Sequence, residues 1–197
     1  MRELSDFLPG KNNAQMKVTR GSLLLAEPFL GDENFERSVV LICEHNEQGT
    51  FGLVLTQTTE LLLDDVIEDD IYPDVPLFVG GPVEKNTLHY IHRRPDLIEG
   101  STELQDGLYW SGDFEQIKKL LNLGSLPAGD IRFFIGYSGW GEGQLNDELN
   151  RDSWIVSNTR PGQLFDCPTD QLWRSTLRDM GGAYRVLSHY PTDPRLN

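Results

Sequence analysis

Apolar residues in this chain cluster in short runs divided by turn residues, and their spacing predicts strands more often than helices. Ser22-Leu23-Leu24-Leu25-Ala26 and Ser38-Val39-Val40-Leu41-Ile42-Cys43 are aliphatic runs of strand length and read as buried strands. Asn46-Glu47-Gln48-Gly49-Thr50 supplies turn chemistry, so Phe51 to Leu55 reads as the returning strand of a hairpin. Further strands are predicted at Leu77 to Pro82, Leu88 to His92, Gly107 to Trp110, Ile131 to Ile135 and Trp154 to Val156. Helices fall between them at irregular intervals. Thr59 is placed to cap Glu60 to Ile67, which ends at Glu68-Asp69-Asp70 and Pro73. Asp113 with Gln116 three residues on forms a capping-box pattern for Phe114 to Leu123, and Gly124 closes that helix. A helix over about 143–150 and a Thr169-capped helix through Met180, stopped by Gly181-Gly182, complete the set. Hairpins interrupted by helices in this way predict an α+β fold rather than a doubly wound one.

Residues 1–16 include Pro9-Gly10-Lys11-Asn12-Asn13, which breaks structure, and read as an N-terminal extension; 17–197 form the domain. A chain of 197 residues suits one core, since folding at this size buries about 70% of the surface the unfolded chain exposes. The formal charge of −14 opposes direct nucleic-acid binding, because phosphate contacts need clustered Lys and Arg. The one basic bias is near the C-terminus, where Arg174, Arg178, Arg185 and Arg195 outnumber Asp179 and Asp193; it reads as a solvated helix face. Two cysteines, Cys43 and Cys167, match neither a disulfide framework nor a CxxC pair, which predicts a reduced, cytoplasmic setting. The apolar runs are too short for a membrane span or a signal peptide, so no membrane association is expected.

Several long segments resemble the YqgE/AlgH family of small bacterial proteins. They are GSLLLAEPFLGDENFERSVVLICEH (Gly21 to His45), GLVL (Gly52 to Leu55), VGGPV (Val79 to Val83), GYSGWGEGQLNDEL (Gly136 to Leu149), Trp154 and the tail SHYPTDPRLN, together covering roughly residues 17–197. The resemblance implies a compact single α+β domain with mixed or antiparallel β-sheet layers and flanking helices. It supplies no catalytic residues to carry over; one branch of the family bears the label of a transcriptional regulator.

Gly136-Tyr137-Ser138-Gly139-Trp140-Gly141-Glu142-Gly143-Gln144 follows the run at 131–135 and reads as a glycine-rich turn between a strand and a helix, a scaffold on which a ligand can approach the backbone. It approaches a G-x-S-x-G nucleophile elbow, but Trp140 replaces the last glycine, where the strained serine needs small neighbours. It lacks G-x-G-x-x-G, since Gln144 stands where the third glycine would fall, and no P-loop occurs. Glu142, Asp147 and Glu148 oppose a strongly charged phosphate there, leaving a polar or weakly anionic ligand, or simple packing of Trp140 under the turn. Val79-Gly80-Gly81-Pro82-Val83 is a second glycine device, suited to a bulge or a close approach.

Cys43 and His45 share a strand face, with Cys43 reading as a buried small hydrophobe and His45 as the polar contact. His89 and His92, three apart on a strand, point to opposite sides, and the acidic run from Asp64 to Asp70 lacks the alternation of a calcium loop; no metal or cofactor is expected. The expected ligand- or partner-binding set is Arg37, His45, Gly80, Gly81, Ser138, Gly139, Trp140 and Gln144, converging on one shallow pocket for a protein partner or a small polar ligand. The leading expectation is a binding or regulatory protein. An enzyme using His45 as acid or base beside the Gly139 to Gly143 backbone is the alternative.

Overall fold

Both aliphatic runs become strands covered on two sides. The computed structural model describes residues 16–190 apart from Phe29, Glu33 and Asp106, so the expected extension lies outside the described residues but for Met16. In β1 (Ser22–Ala26) and β2 (Val39–Asn46), Leu23, Leu25, Val39, Leu41 and Cys43 enter one core cluster, while Leu24, Ala26, Val40 and Ile42 enter another. Side chains alternate across a strand, so a strand buried on both faces must be apolar without interruption. Burying each Leu or Val contributes about 1.5–3 kcal/mol, which fixes these strands at the centre.

After β3 (Gly49–Val54) come β4 (Thr58–Leu62), β5 (Pro76–Val79), β6 (Val83–His92), β7 (Thr102–Gln105), β8 (Leu108–Trp110), α1 (Phe114–Asn122), β9 (Ile131–Gly141), α2 (Gln144–Asn150), β10 (Trp154–Asn158), α3 (Pro161–Asp166), α4 (Leu172–Met180) and α5 (Gly182–Leu187). The sheet runs β10-β1-β2-β3-β9-β6-β8-β7, and β5 joins β4 to β9. Its pairings are antiparallel except β5 with β9, where Leu77, Phe78 and Val79 lie parallel to Phe133, Phe134 and Ile135. The α+β expectation holds. Helices α3, α4 and α5 cover one core through Leu164, Leu172, Trp173, Leu177 and Leu187; α1 covers a second through Ile117 and Leu121; α2 covers the third through Leu145 and Leu149.

The segment read as a glycine-rich turn is mostly strand. β9 continues to Gly141 because its second half pairs with β3, Gly52 opposite Ser138 and Gly49 opposite Gly141. Its first half pairs with β6 and β5. Phe134 and Tyr137 both pack on the same core although three residues apart, which a regular strand forbids. Gly136, at φ 68°, absorbs the extra residue where β9 crosses from one half of the sheet to the other.

Two further expectations are corrected. Residues 60–67 are not a helix: Thr58–Leu62 forms β4 beside β5, and only Leu63–Asp65 makes a 3-10 turn. Thr59 donates to the Leu77 carbonyl across the strands at 3.0 Å instead of capping. Leu61-Leu62-Leu63 is a contiguous run rather than a helical stripe, and only Leu63 is fully buried. Thr169 likewise makes no side-chain cap; residues 169–171 form a 3-10 turn leading into α4. Asp113 does cap α1, accepting from the Gln116 amide at 3.0 Å, but the Gln116 side chain accepts from Glu99 instead of closing the box. Strand β7 and helices α3 and α5 were not expected.

Candidate functional site

A cleft of about 450 Å³ opens where α2 meets the ends of β9 and β10. Trp140 and Trp154, each 5% exposed, form its base, with ring centroids 5.9 Å apart at 80°. Phe35, from the loop between β1 and β2, sets its ring 5.4 Å from Trp154, edge to face. That loop is held by its own turns: Phe35 N donates to Asp32 O at 3.0 Å, and Asp32 Oδ1 accepts from both the backbone and the side-chain nitrogen of Asn34. Leu30, Pro82, Val83, Gly139 and Gln144 complete the walls.

Beneath the opening, one carboxylate organises the tryptophans. Glu148 Oε2 accepts from Trp140 Nε1 at 2.8 Å and from Trp154 Nε1 at 2.7 Å, while Oε1 accepts from Gln144 Nε2 at 3.1 Å. Gln144 Oε1 in turn accepts from the Gly141 amide at 3.1 Å. Gln144 and Glu148 stand four apart on α2, so they share a face, and the helix begins where Gly143 turns the chain at φ 73°. Buried indole N–H groups need acceptors, and an ionised acceptor gives the stronger bond.

The expected site residues divide. Gly139, Trp140 and Gln144 line this cleft. Gly80, Gly81 and Ser138 are buried beside it and bring the β5–β6 link against β9: a Cβ on Gly80 would stand 2.3 Å from the Gly136 carbonyl and one on Gly81 2.2 Å from that of Tyr137. Ser138 Oγ donates to the Gly80 carbonyl at 3.2 Å. Arg37 and His45 do not join them, which corrects the expected convergence. His45 Nδ1 bonds Thr50 Oγ1 at 2.8 Å within the β2–β3 hairpin. Arg37 donates to the Tyr190 carbonyl at 2.7 Å and lines a different cleft by the C-terminal helices. Arg37 lies in the turn before β2 and Trp140 near the end of β9, and one-dimensional spacing does not show that the two face different clefts.

Glu148, Trp154, Phe35, Leu30, Asp32 and Asn34 were missed as site residues. The i, i+4 pairing of Gln144 with Glu148, between two tryptophans, is the signal that was available.

Elsewhere, burial governs the titratable groups. Cys43 is fully enclosed, which pushes its thiol well up. Burial lowers His92, whose Nδ1 accepts from the Arg94 amide at 3.2 Å while Nε2 faces Ser101 Oγ and the Ser111 carbonyl. It also lowers His89, which packs 5.1 Å from Phe51 and bonds Thr87. No group of three or more His, Cys, Asp or Glu is placed to hold a metal ion among the described residues, and no helix there is long and apolar enough to cross a membrane.

A mixed sheet folded around a strand shared by its two halves, with an aromatic-based cleft beside α2, defines a protein of the α+β class. Residues 23–185 match the AlgH-like family, and the chain belongs to that family. It is similar to a UPF0301 protein of Cytophaga hutchinsonii, 46% identical over 181 residues that span 91% of this chain and 100% of that protein. A UPF0301 protein of Chlorobium luteolum is 40% identical over 188 residues, 95% of this chain and 100% of that one. Among solved structures, the AlgH protein from Pseudomonas aeruginosa matches with a TM-score of 0.70 at 28% identity, covering 89% of this chain and 98% of that one. A Corynebacterium diphtheriae protein gives a TM-score of 0.70 at 25% identity over 88% and 93% of the two chains.

Proposed function

We propose that this chain is a cytoplasmic binding protein that receives a small polar ligand or a short segment of a protein partner in the cleft over Trp140 and Trp154, any influence on transcription passing through that partner. The observation that carries the reading is the state of the cleft's carboxylates. Glu148 holds two indoles and Gln144, and Asp32 Oδ1 holds its own loop, so among the described residues both lining carboxylates are committed to structure and the cleft offers shape over an aromatic base. Binding needs only a concave apolar base with a few polar groups at its rim, whereas catalysis needs titratable groups within reach of a substrate. The enzymatic alternative fares worse on geometry: His45 does not line the cleft, and the Gly141 amide, a member of the supposed oxyanion site, already donates to Gln144. The net charge of −14 argues against direct contact with nucleic acid.

The test is a titration of isotope-labelled protein with a panel of small polar metabolites and short peptides, following the indole N–H signals of Trp140 and Trp154. The expected result is a saturable shift of those signals, lost in Asn34→Trp, which fills the mouth from the exposed loop. Saturable binding whose shifts lie away from the cleft, or that Asn34→Trp leaves untouched, overturns the reading.

A further inference from the structure

The second cleft, about 560 Å³ in volume, is built differently and stands apart from the reading above. Three arginines line it. Arg174 and Arg178 are four apart on α4 and so share a face, and Arg37 reaches in from two residues before β2. Arg37 sits at φ 50°, an uncommon backbone for a side chain of this size, and its guanidinium lies 5.1 Å over the Trp173 ring. One of its nitrogens donates to the Tyr190 carbonyl, while Nε and Nη1 are shielded from solvent without a hydrogen-bond partner among the described residues.

None of the three forms an ion pair among the described residues, although Arg93, Arg94 and Arg160 each pair with an aspartate. What sets these three apart is their gathering: one cleft of a chain of charge −14 collects three guanidinium groups without an ion-pair partner among the described residues. Burial first and then the Arg174 charge hold the Arg37 guanidinium below its ordinary value, against a smaller opposing pull from Glu36. Asp170 is the one carboxylate among the described lining residues, with Glu36 close enough to act on Arg37, so the arginines outnumber the acids there. Ser188 and His189 add polar groups on the wall facing α4.

We infer that this cleft binds the phosphomonoester group of a small molecule, with Arg37, Arg174 and Arg178 as its ligating cations. A phosphomonoester carries a charge of about −1.5 to −2 at neutral pH, which suits a lining where arginines outnumber acids. Guanidinium forks meet phosphate oxygens in paired hydrogen bonds, and the exposed Arg174 and Arg178 present theirs to the cleft beside the Arg37 charge. The volume falls within the roughly 300–1,000 Å³ of small-molecule sites, leaving room for the rest of the ester.

The experiment titrates the full chain at low salt with inorganic phosphate, ribose 5-phosphate and a short DNA duplex, following binding by calorimetry and by amide shifts. Saturable binding of ribose 5-phosphate at least as tight as that of inorganic phosphate is expected. Arg174→Gln and Arg178→Gln, both at exposed positions, should each weaken it about tenfold or more. Arg185→Gln, outside the cleft, should leave it unchanged, as should Asn34→Trp, which separates this site from the aromatic-based one. Thermal midpoints of the variants check that each remains folded. No saturable binding overturns the assignment, as does equal weakening by Arg185→Gln, which would mean general charge attraction. So does phosphate binding that excludes ribose 5-phosphate, or a duplex that binds more tightly than either.

Discussion

Glu148 is the side chain on which the aromatic cleft depends most. Both indole N–H groups beneath the opening donate to the same oxygen, in tryptophans that are each only 5% exposed. Removing the acceptor leaves two buried donors unsatisfied, each costing about 1–3 kcal/mol. Glu148→Ala should therefore lower stability by about 2–4 kcal/mol in urea denaturation and shift the tryptophan emission. Glu148→Gln, which keeps one acceptor oxygen but loses its charge, should cost roughly half as much. Equal stability of Glu148→Ala and the parent would mean that the carboxylate does not hold the indoles. His92 makes a second prediction at this scale. It is fully buried and bonded in its neutral form, with its folded pKa lowered from the ordinary 6.5. Below about 6.5 the unfolded chain takes up the proton first, so stability falls as pH drops through that value and is flat above it as far as this group is concerned. His89, also lowered by burial, acts in the same direction. Urea midpoints measured from pH 7.5 to 5.5 should decline in the parent and decline less in His92→Gln, which starts lower because the Arg94 amide loses its acceptor.

Among the elements, the crossing of β5, β6 and β9 carries the tightest constraint. A Cβ at Gly81 would meet the backbone of Tyr137 at 2.2 Å, with no flexible side chain to give way, whereas at Gly143 nothing lies within 4 Å. Gly81 sits at φ 153° and Gly143 at φ 73°, so a backbone conformation that L residues avoid more strongly adds to the clash at Gly81. Gly81→Ala should cost about 3 kcal/mol or more in thermal unfolding and Gly143→Ala about 1 kcal/mol. Equal costs would mean that the two strands do not approach closely at Gly81. The glycines at 80, 81 and 136 were visible in the sequence, but their purpose was not, because close approach is a property of two segments and a sequence shows one at a time. By contrast β1, β2 and α1 were legible from local pattern: an unbroken aliphatic run, a hairpin turn, an Asp cap and a closing Gly124. Thr58–Leu62 misled because three consecutive leucines satisfy a helix and a strand equally, and pairing with β5 decided between them. The cleft was half legible. Gly139, Trp140 and Gln144 were found through glycine density, while Glu148 passed as a surface acid, since its partners Trp140 and Trp154 come from two different strands.

At the scale of the whole molecule, the two thiols distinguish local from global motion. Cys43 lies in β2, between β1 and β3, under the cluster that α3, α4 and α5 close, and it is 0% exposed. Reaching it requires those helices to leave the sheet, an event close to complete unfolding because their buried leucines and Trp173 form one cluster with it. Cys167 follows α3 directly and is half-buried, its sulfur near the Pro168 carbonyl at 3.5 Å. A thiol reagent that attacks only the thiolate should therefore label Cys167 in the native protein and leave Cys43 unmodified. If Cys43 reacts only through the unfolded state, a stability of about 5 kcal/mol or more makes its labelling slower than that of an unfolded thiol by about a thousandfold or more, and burial has raised its pKa in addition. Its rate should then rise with urea along the same curve as the loss of tryptophan signal. Cys43 labelling that stays fast and independent of urea would mean that the helices lift from the sheet without unfolding it. The C-terminal helices would then form a separate mobile layer, and the arginine cleft that α4 carries would open and close with them.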